Sequence, residues 1–150
     1  MKRLLVVLSI IALSVSGVAF GASKARKTHG VAYVGVTHAE GGDGYVAGDI
    51  NDKILGRGAI VYVIKVTTGQ QQGTLAVTAK RVTIYTPKGS LSGTGSATQT
   101  FNDDGTADVS DGKFKLTKGT GKLKGHSLKG TFSGPYKDGV YTFSYKGTFK

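Results

Sequence analysis

The sequence predicts an all-β protein: an antiparallel eight-stranded up-and-down β-barrel behind a cleavable signal peptide, with a two-sheet β-sandwich as the alternative arrangement. Three observations predict it. Segments rich in Val, Ile, Thr, Tyr and Phe recur eight times between Gly, Asn and Asp clusters. Beyond the first twenty or so residues, no stretch sustains the three-to-four spacing of an amphipathic helix. The 150 residues include 24 Gly and only 2 Pro, which suits a turn-rich sheet better than a helical bundle or a disordered tail.

In chain order, residues 1–22 come first. Lys2 and Arg3 precede an apolar run from Leu4 to Leu13 broken only by Ser9, and small residues lead to Ala19-Phe20-Gly21-Ala22. A charged start, a short apolar core and a small-x-small exit mark a secretory signal peptide, and the run is too short to span a bilayer comfortably. Ala19 and Gly21 fit cleavage after Gly21, with cleavage after Ala22 next to it. Residues 23–150 then form one exported domain, secreted or periplasmic, with no further membrane span. A domain of that size buries roughly two thirds of its unfolded surface and needs no staples. With no Cys, disulfides, thiol catalysis, iron–sulfur clusters, cysteine zinc sites and a lipidated cysteine are excluded.

The strands are expected at 31–38, 44–50, 57–67, 74–86, 90–101, 106–117, 126–134 and 140–149. Their connections carry turn chemistry, as in Glu40-Gly41-Gly42-Asp43, Asn102-Asp103-Asp104-Gly105 and Pro135 to Gly139. Such short loops favour antiparallel neighbours, because parallel strands need long crossovers. Asp111-Gly112, inside the sixth segment, is read as a bulge. Alternation sets the faces: Tyr141, Phe143, Tyr145, Gly147 and Phe149 share one side of the last strand, and Leu128, Gly130 and Phe132 that of the seventh. In the fifth, Leu91, Gly93, Gly95, Ala97 and Phe101 oppose an unbroken Ser/Thr face. The third strand is apolar on both faces (Ile60, Tyr62, Ile64 and Ala59, Val61, Val63), so a cover from the N-terminal segment or a partner subunit is expected.

Closure removes exposed edges, and eight strands leave a lumen for side chains or one small ligand. Gly93, Gly95, Gly130 and Gly147 suit the sharp coiling of a small barrel and place small inner residues beside large rings. A transmembrane barrel would need apolar residues outside, against the Ser/Thr/Lys faces seen here.

From Lys118-Gly119-Thr120-Gly121-Lys122-Leu123-Lys124-Gly125 through Lys129-Gly130-Thr131-Phe132 and Lys146-Gly147-Thr148-Phe149, the chain resembles the C-terminal half of the allene-oxide-cyclase/dirigent-like barrels. The resemblance implies an eight-stranded barrel whose lumen holds an apolar small molecule in some members. No residue of this chain matches the catalytic or ligand acids of the plant proteins.

The sequence offers little catalytic chemistry, and no cofactor, metal site or enzymatic constellation is expected. There is no G-x-S-x-G elbow. His126 reads as a turn histidine, and His38 beside Glu40 as a polar pair at a strand end. Asn102-Asp103-Asp104-Gly105 with Asp108 misses the calcium-loop frame and suits a hairpin. Gly119-Thr120-Gly121 lacks the strand–loop–helix context of a phosphate cradle.

Charge is the clearest surface signal: residues 113–150 hold nine Lys against Asp138 alone. Lys113, Lys115, Lys129 and Lys146 are expected outward, with Lys118, Lys122, Lys124 and Lys137 extending the patch. The first functional expectation is therefore a non-enzymatic module at the cell exterior whose basic face meets an anionic polymer, without specific nucleic-acid recognition. Plain solubility and edge protection explain the same lysines equally well. The alternative function is a barrel that binds or converts a small apolar ligand. Tyr62, Phe114, Phe132, Tyr141, Phe143 and Tyr145 would line its lumen, and Gly93, Gly95 and Ala97 would leave room.

Overall fold

The structure is a computed structural model and describes residues 24–150, so the signal-peptide reading of 1–22 lies outside the described residues. Eight strands follow one another as β1 (Arg26–Glu40), β2 (Asp43–Asp52), β3 (Gly56–Thr68), β4 (Thr74–Thr86), β5 (Gly89–Phe101), β6 (Ala107–Gly119), β7 (Leu128–Lys137) and β8 (Val140–Phe149). Each pairs antiparallel with the next, and β1 pairs with β8 to close an up-and-down barrel. The sandwich alternative is thereby excluded. No helix among the described residues is long and apolar enough to cross a membrane.

The expected strand order holds, and the boundaries move where strand pairing overrides local turn chemistry. β1 starts five residues earlier than expected, at Arg26, because its alternation continues through Thr28 and Gly30 and finds β8 as a partner. β7 runs on through Pro135, which faces Asp108 in register, so the turn is Asp138-Gly139 alone. Both turn residues have positive φ (52° and 84°), as a two-residue type I′ hairpin requires. Asp111 also has positive φ (52°), and the β6–β7 register slips between Val109 and Gly112, so this pair forms a bulge within one strand.

The inner face holds the core. Ala32, Val34, Val46, Ile50, Val82 and Ile84 are buried along β1, β2 and β4, and Tyr145 and Phe149 along β8. Phe101, expected inward, is instead 53 % exposed, because it lies at the far end of β5, beside the turn that follows. On the outer face of β3, Ala59 and Val61 are exposed and no described residue covers them; the N-terminal segment expected as one of the two covers lies outside the described residues.

The two ends of the barrel differ. At the end where β1 begins and β8 finishes, Leu55, Leu91, Leu116, Leu123 and Leu128 are all at most 3 % exposed and form a plug. The 3-10 turn Gly121–Leu123 supplies Leu123 to it. That turn is tied across the barrel by Lys122 N–H donating to the Lys88 carbonyl (2.8 Å) and Thr120 N–H to that of Ser90 (2.9 Å). The Gly-Thr-Gly stretch therefore works as a clasp for the plug. The opposite end carries the hairpins at 41–42, 69–73, 102–106 and 138–139 and has no such cover among the described residues.

Candidate functional site: the lumen and the basic wall

Aromatic side chains of β6, β7 and β8 line one side of the lumen as a continuous series. From the hairpin end, Tyr136 meets Tyr141 (ring centroids 4.5 Å), Tyr141 meets Phe143 (5.5 Å), and Phe143 packs edge-on against Phe132 (5.1 Å). Phe132 then meets Phe114 (6.4 Å), and Phe114 lies edge-on to Tyr145 (5.7 Å, 88°). Rings of this size fit because glycines sit beside them on neighbouring strands. A Cβ at Gly112 would fall 2.7 Å from the Phe132 ring, at Gly130 2.8 Å from Phe114, and at Gly30 2.6 Å from Tyr145.

The facing strands contribute smaller or aliphatic side chains, and the mismatch leaves an apolar cavity of about 110 Å³. Tyr62, Phe114, Phe132, Tyr141, Phe143, Tyr145, Gly95 and Ala97 all line it. Gly93 does not: it is packed against β6, where an added Cβ would lie 2.7 Å from the Leu116 Cα, so its role is backbone approach. The leucine plug seals one end, whereas the inward Ile64, Val77, Tyr141 and Phe143 are only half-buried, so solvent reaches the cavity from the hairpin end.

One polar group inside the cavity escaped the sequence reading. Gln99 is 7 % exposed, and its Oε1 accepts the Tyr141 hydroxyl at 3.3 Å. Strict alternation after Ala97 would have placed it inward. Its amide nitrogen and the nearby Tyr62 hydroxyl have no protein partner among the described residues, and both residues line the cavity. Burial, helped by the adjacent Tyr141, raises the Tyr62 pKa well above the ordinary tyrosine range. Burial raises that of Tyr141 too, against the bond to Gln99. Both phenols therefore stay neutral hydrogen-bonding groups at any ordinary pH. Among the described residues, no carboxylate, imidazole or ammonium lines the cavity.

Below the cavity sits a second polar cluster that sequence reading missed. Asp52, 3 % exposed, closes β2 and accepts four groups: the Thr28 hydroxyl (2.8 Å), the Tyr145 hydroxyl (2.7 Å) and the N–H groups of Ile54 (2.6 Å) and Leu55 (2.7 Å). The two backbone bonds form the turn into β3, and the hydroxyls lock β1 and β8 to it. The Tyr145 pKa is raised, by burial first and then by its bond and proximity to Asp52.

On the outside, register aligns the lysines. Lys113, Thr131, Lys146 and His29 form one row across β6, β7, β8 and β1, and Lys115, Lys129, Thr148 and Lys27 form the next. Lys118, Lys122 and Lys124 extend these rows at the plugged end. Lys137 does not: it lies at the opposite end, in the β7–β8 hairpin, eight residues or roughly 26 Å along β7 from Lys129. Lys27 and His29 belong to the wall but precede the lysine-rich quarter, so charge counting along the chain overlooks them. The isolated motifs resolve into local structure. His126 stacks on Phe149 (4.9 Å), His38 pairs with Glu40 (3.4 Å), and Asn102 and Asp104 hold their own hairpin through Thr106. No family model and no curated protein matches the chain.

Proposed function

We propose that the protein is an exported, non-enzymatic binding barrel that holds a small apolar molecule in its lumen. The observation that carries this reading is an apolar cavity bordered by two hydrogen-bonding groups without protein partners, the Gln99 amide and the Tyr62 hydroxyl. An apolar cavity of about 150 Å³ holds benzene, so about 110 Å³ accommodates the body of a single ring or a short hydrocarbon chain. The two polar groups favour a ligand with one acceptor, such as a carbonyl, pointing to the hairpin end. The resemblance of residues 118–149 to ligand-holding barrels and the signal-like 1–22 support the same reading. With neutral polar groups alone at the cavity, binding rather than turnover is the chemistry on offer.

Thermal-shift and calorimetric titration with toluene, benzaldehyde and benzyl alcohol test it. Benzaldehyde should bind roughly 2- to 10-fold tighter than toluene, the worth of one ordinary hydrogen bond. Gln99→Leu should reduce that preference and Gln99→Leu combined with Tyr62→Phe should erase it, and Ala97→Leu should abolish binding of all three while the sheet signal persists. Failure of all three compounds to bind at millimolar concentration, or unchanged binding in Ala97→Leu, overturns the lumen reading.

A further inference from the structure

The wall formed by β6, β7, β8 and β1 presents charge that neither the lumen nor folding uses. Lys27, Lys113, Lys115, Lys129 and Lys146 are all exposed. Lys115 stands directly opposite Lys129 in the β6–β7 register, an arrangement that costs stability between like charges. No carboxylate lies within ion-pair distance of these lysines among the described residues: the Lys80–Asp43 ion pair and the His38–Glu40 contact lie elsewhere. The acidic groups on β6, Asp108 and Asp111, lie toward the hairpin end: Asp108 faces Pro135 and accepts from Asn102, and Asp111 is on the bulge beside the Ser110 hydroxyl. Strands about 4.8 Å apart and a two-residue repeat of about 6.8 Å set neighbouring ammonium roots roughly 5–10 Å from one another.

The composition of the wall narrows the partner. Its outward rows carry Lys and no Arg, Arg26 standing on the inward parity at the start of β1, so they offer point charges and not the planar fork that reads single carboxylates or phosphates bidentately. The outward positions of β6, β7 and β8 carry no aromatic ring, and β1 adds only the His29 imidazole and the exposed Tyr33 ring at its far side, which is not the series of platforms on which successive unpaired bases stack. Hydroxyls of Thr131, Ser133, Ser144 and Thr148 fill the spaces between the lysines and can donate to anionic oxygens. We propose that this wall binds a flexible, base-free polyanion, a phosphate- or sulfate-bearing polymer lying across β6 to β1, held by charge density and not by a shaped pocket.

Binding of the 23–150 chain to polyphosphate, dextran sulfate, single-stranded DNA, anionic phospholipid vesicles and neutral dextran is measured from 50 to 200 mM salt. If five lysines each neutralise one charge, the slope of log K against log salt is about −3.5, or roughly a hundredfold loss over this range. The triple variant Lys115→Gln, Lys129→Gln, Lys146→Gln should flatten the slope to about −1.4, a loss of roughly sevenfold, and weaken binding at 50 mM. Lys65→Gln, Lys80→Gln, Arg81→Gln, on β3 and β4, should leave the slope as it was. The ratio of polyphosphate to dextran sulfate affinity separates the phosphate from the sulfate source. The proposal is overturned if neither polymer binds at 50 mM salt or if the triple variant keeps the full slope. Binding of DNA or vesicles tenfold tighter than both polymers also overturns it, and would assign the wall to that partner. Because these lysines lie outside the barrel, the triple variant should titrate benzaldehyde as before, so failure here is distinguishable from failure of the lumen reading.

Discussion

Replacing Asp52 should be the most damaging single change to the fold that leaves every apolar side chain in place. Its carboxylate collects two hydroxyls and two amides, and three of the donor residues, Thr28, Leu55 and Tyr145, are at most 6 % exposed. Asp52→Ala strands these donors. An unsatisfied buried group costs about 1–3 kcal/mol, and a water entering the vacated space would recover part of that. The low end of the range for four donors gives about 4 kcal/mol, or roughly 15 °C in Tm for a domain of this size. Asp52→Asn keeps Oδ1 for the Ile54 and Leu55 amides. It sets an NH2 group against the Thr28 and Tyr145 hydroxyls, which can rotate to accept, so its cost is about 1–2 kcal/mol. Urea unfolding followed by far-ultraviolet circular dichroism measures both. A loss under 1 kcal/mol for Asp52→Ala, or equal losses for the two variants, would refute the assignment of Asp52 as the junction of β1, β2 and β8.

Three further outcomes follow from the geometry. Gly130→Ala should destabilise by about 1–3 kcal/mol through overpacking, since its Cβ would run into the Lys146 backbone carbonyl and lie 2.8 Å from Phe114, whereas Gly95→Ala, whose nearest neighbour would be the Lys113 carbonyl oxygen at 3.1 Å with the cavity on its other side, should cost less than Gly130→Ala; thermal melts of the pair check this. Because the folded-state pKa values of Tyr62, Tyr141 and Tyr145 are raised, their contribution to stability is intact below the unfolded value of about 10 and declines as pH rises above it. Urea melts at pH 8 and pH 11 should differ accordingly, and equal stability at both would contradict the buried phenols. Gly139→Val should destabilise the β7–β8 hairpin by over 1 kcal/mol, because φ is +84° there; amide exchange at Lys137 and Val140 reports it.

The barrel was legible because period-two alternation is strong on β5, β7 and β8, and eight such strands with short turns leave few other ways to bury one face. Pairing overrides proline and glycine as stop signals: Pro135 sits inside β7, and β1 reaches back past Gly30 to Arg26. The aromatic lining was visible for the same reason as the strands. Gln99 was not, because a polar residue on an apolar face was passed over, although 91, 93, 95, 97 and 99 share parity. Asp52 and Thr28 were hidden because their partnership joins residues 24 positions apart, and it exists only once β1 and β2 pair. Volume is a property of facing layers, so no single strand could disclose the cavity.

The pairing of β1 with β8 has a consequence for how the molecule is made. Arg26 faces Phe149, so the last seam joins residues at the two extremes of the described chain, while every other seam joins consecutive strands. Hairpins can zip one after another at little loop-closure cost, but the final seam waits for the whole sheet to curl. Until then two raw strand edges stand open. A chain cut after Val140 would keep seven strands with unpaired rims on β1 and β7, a template for strand exchange between molecules and not a smaller barrel.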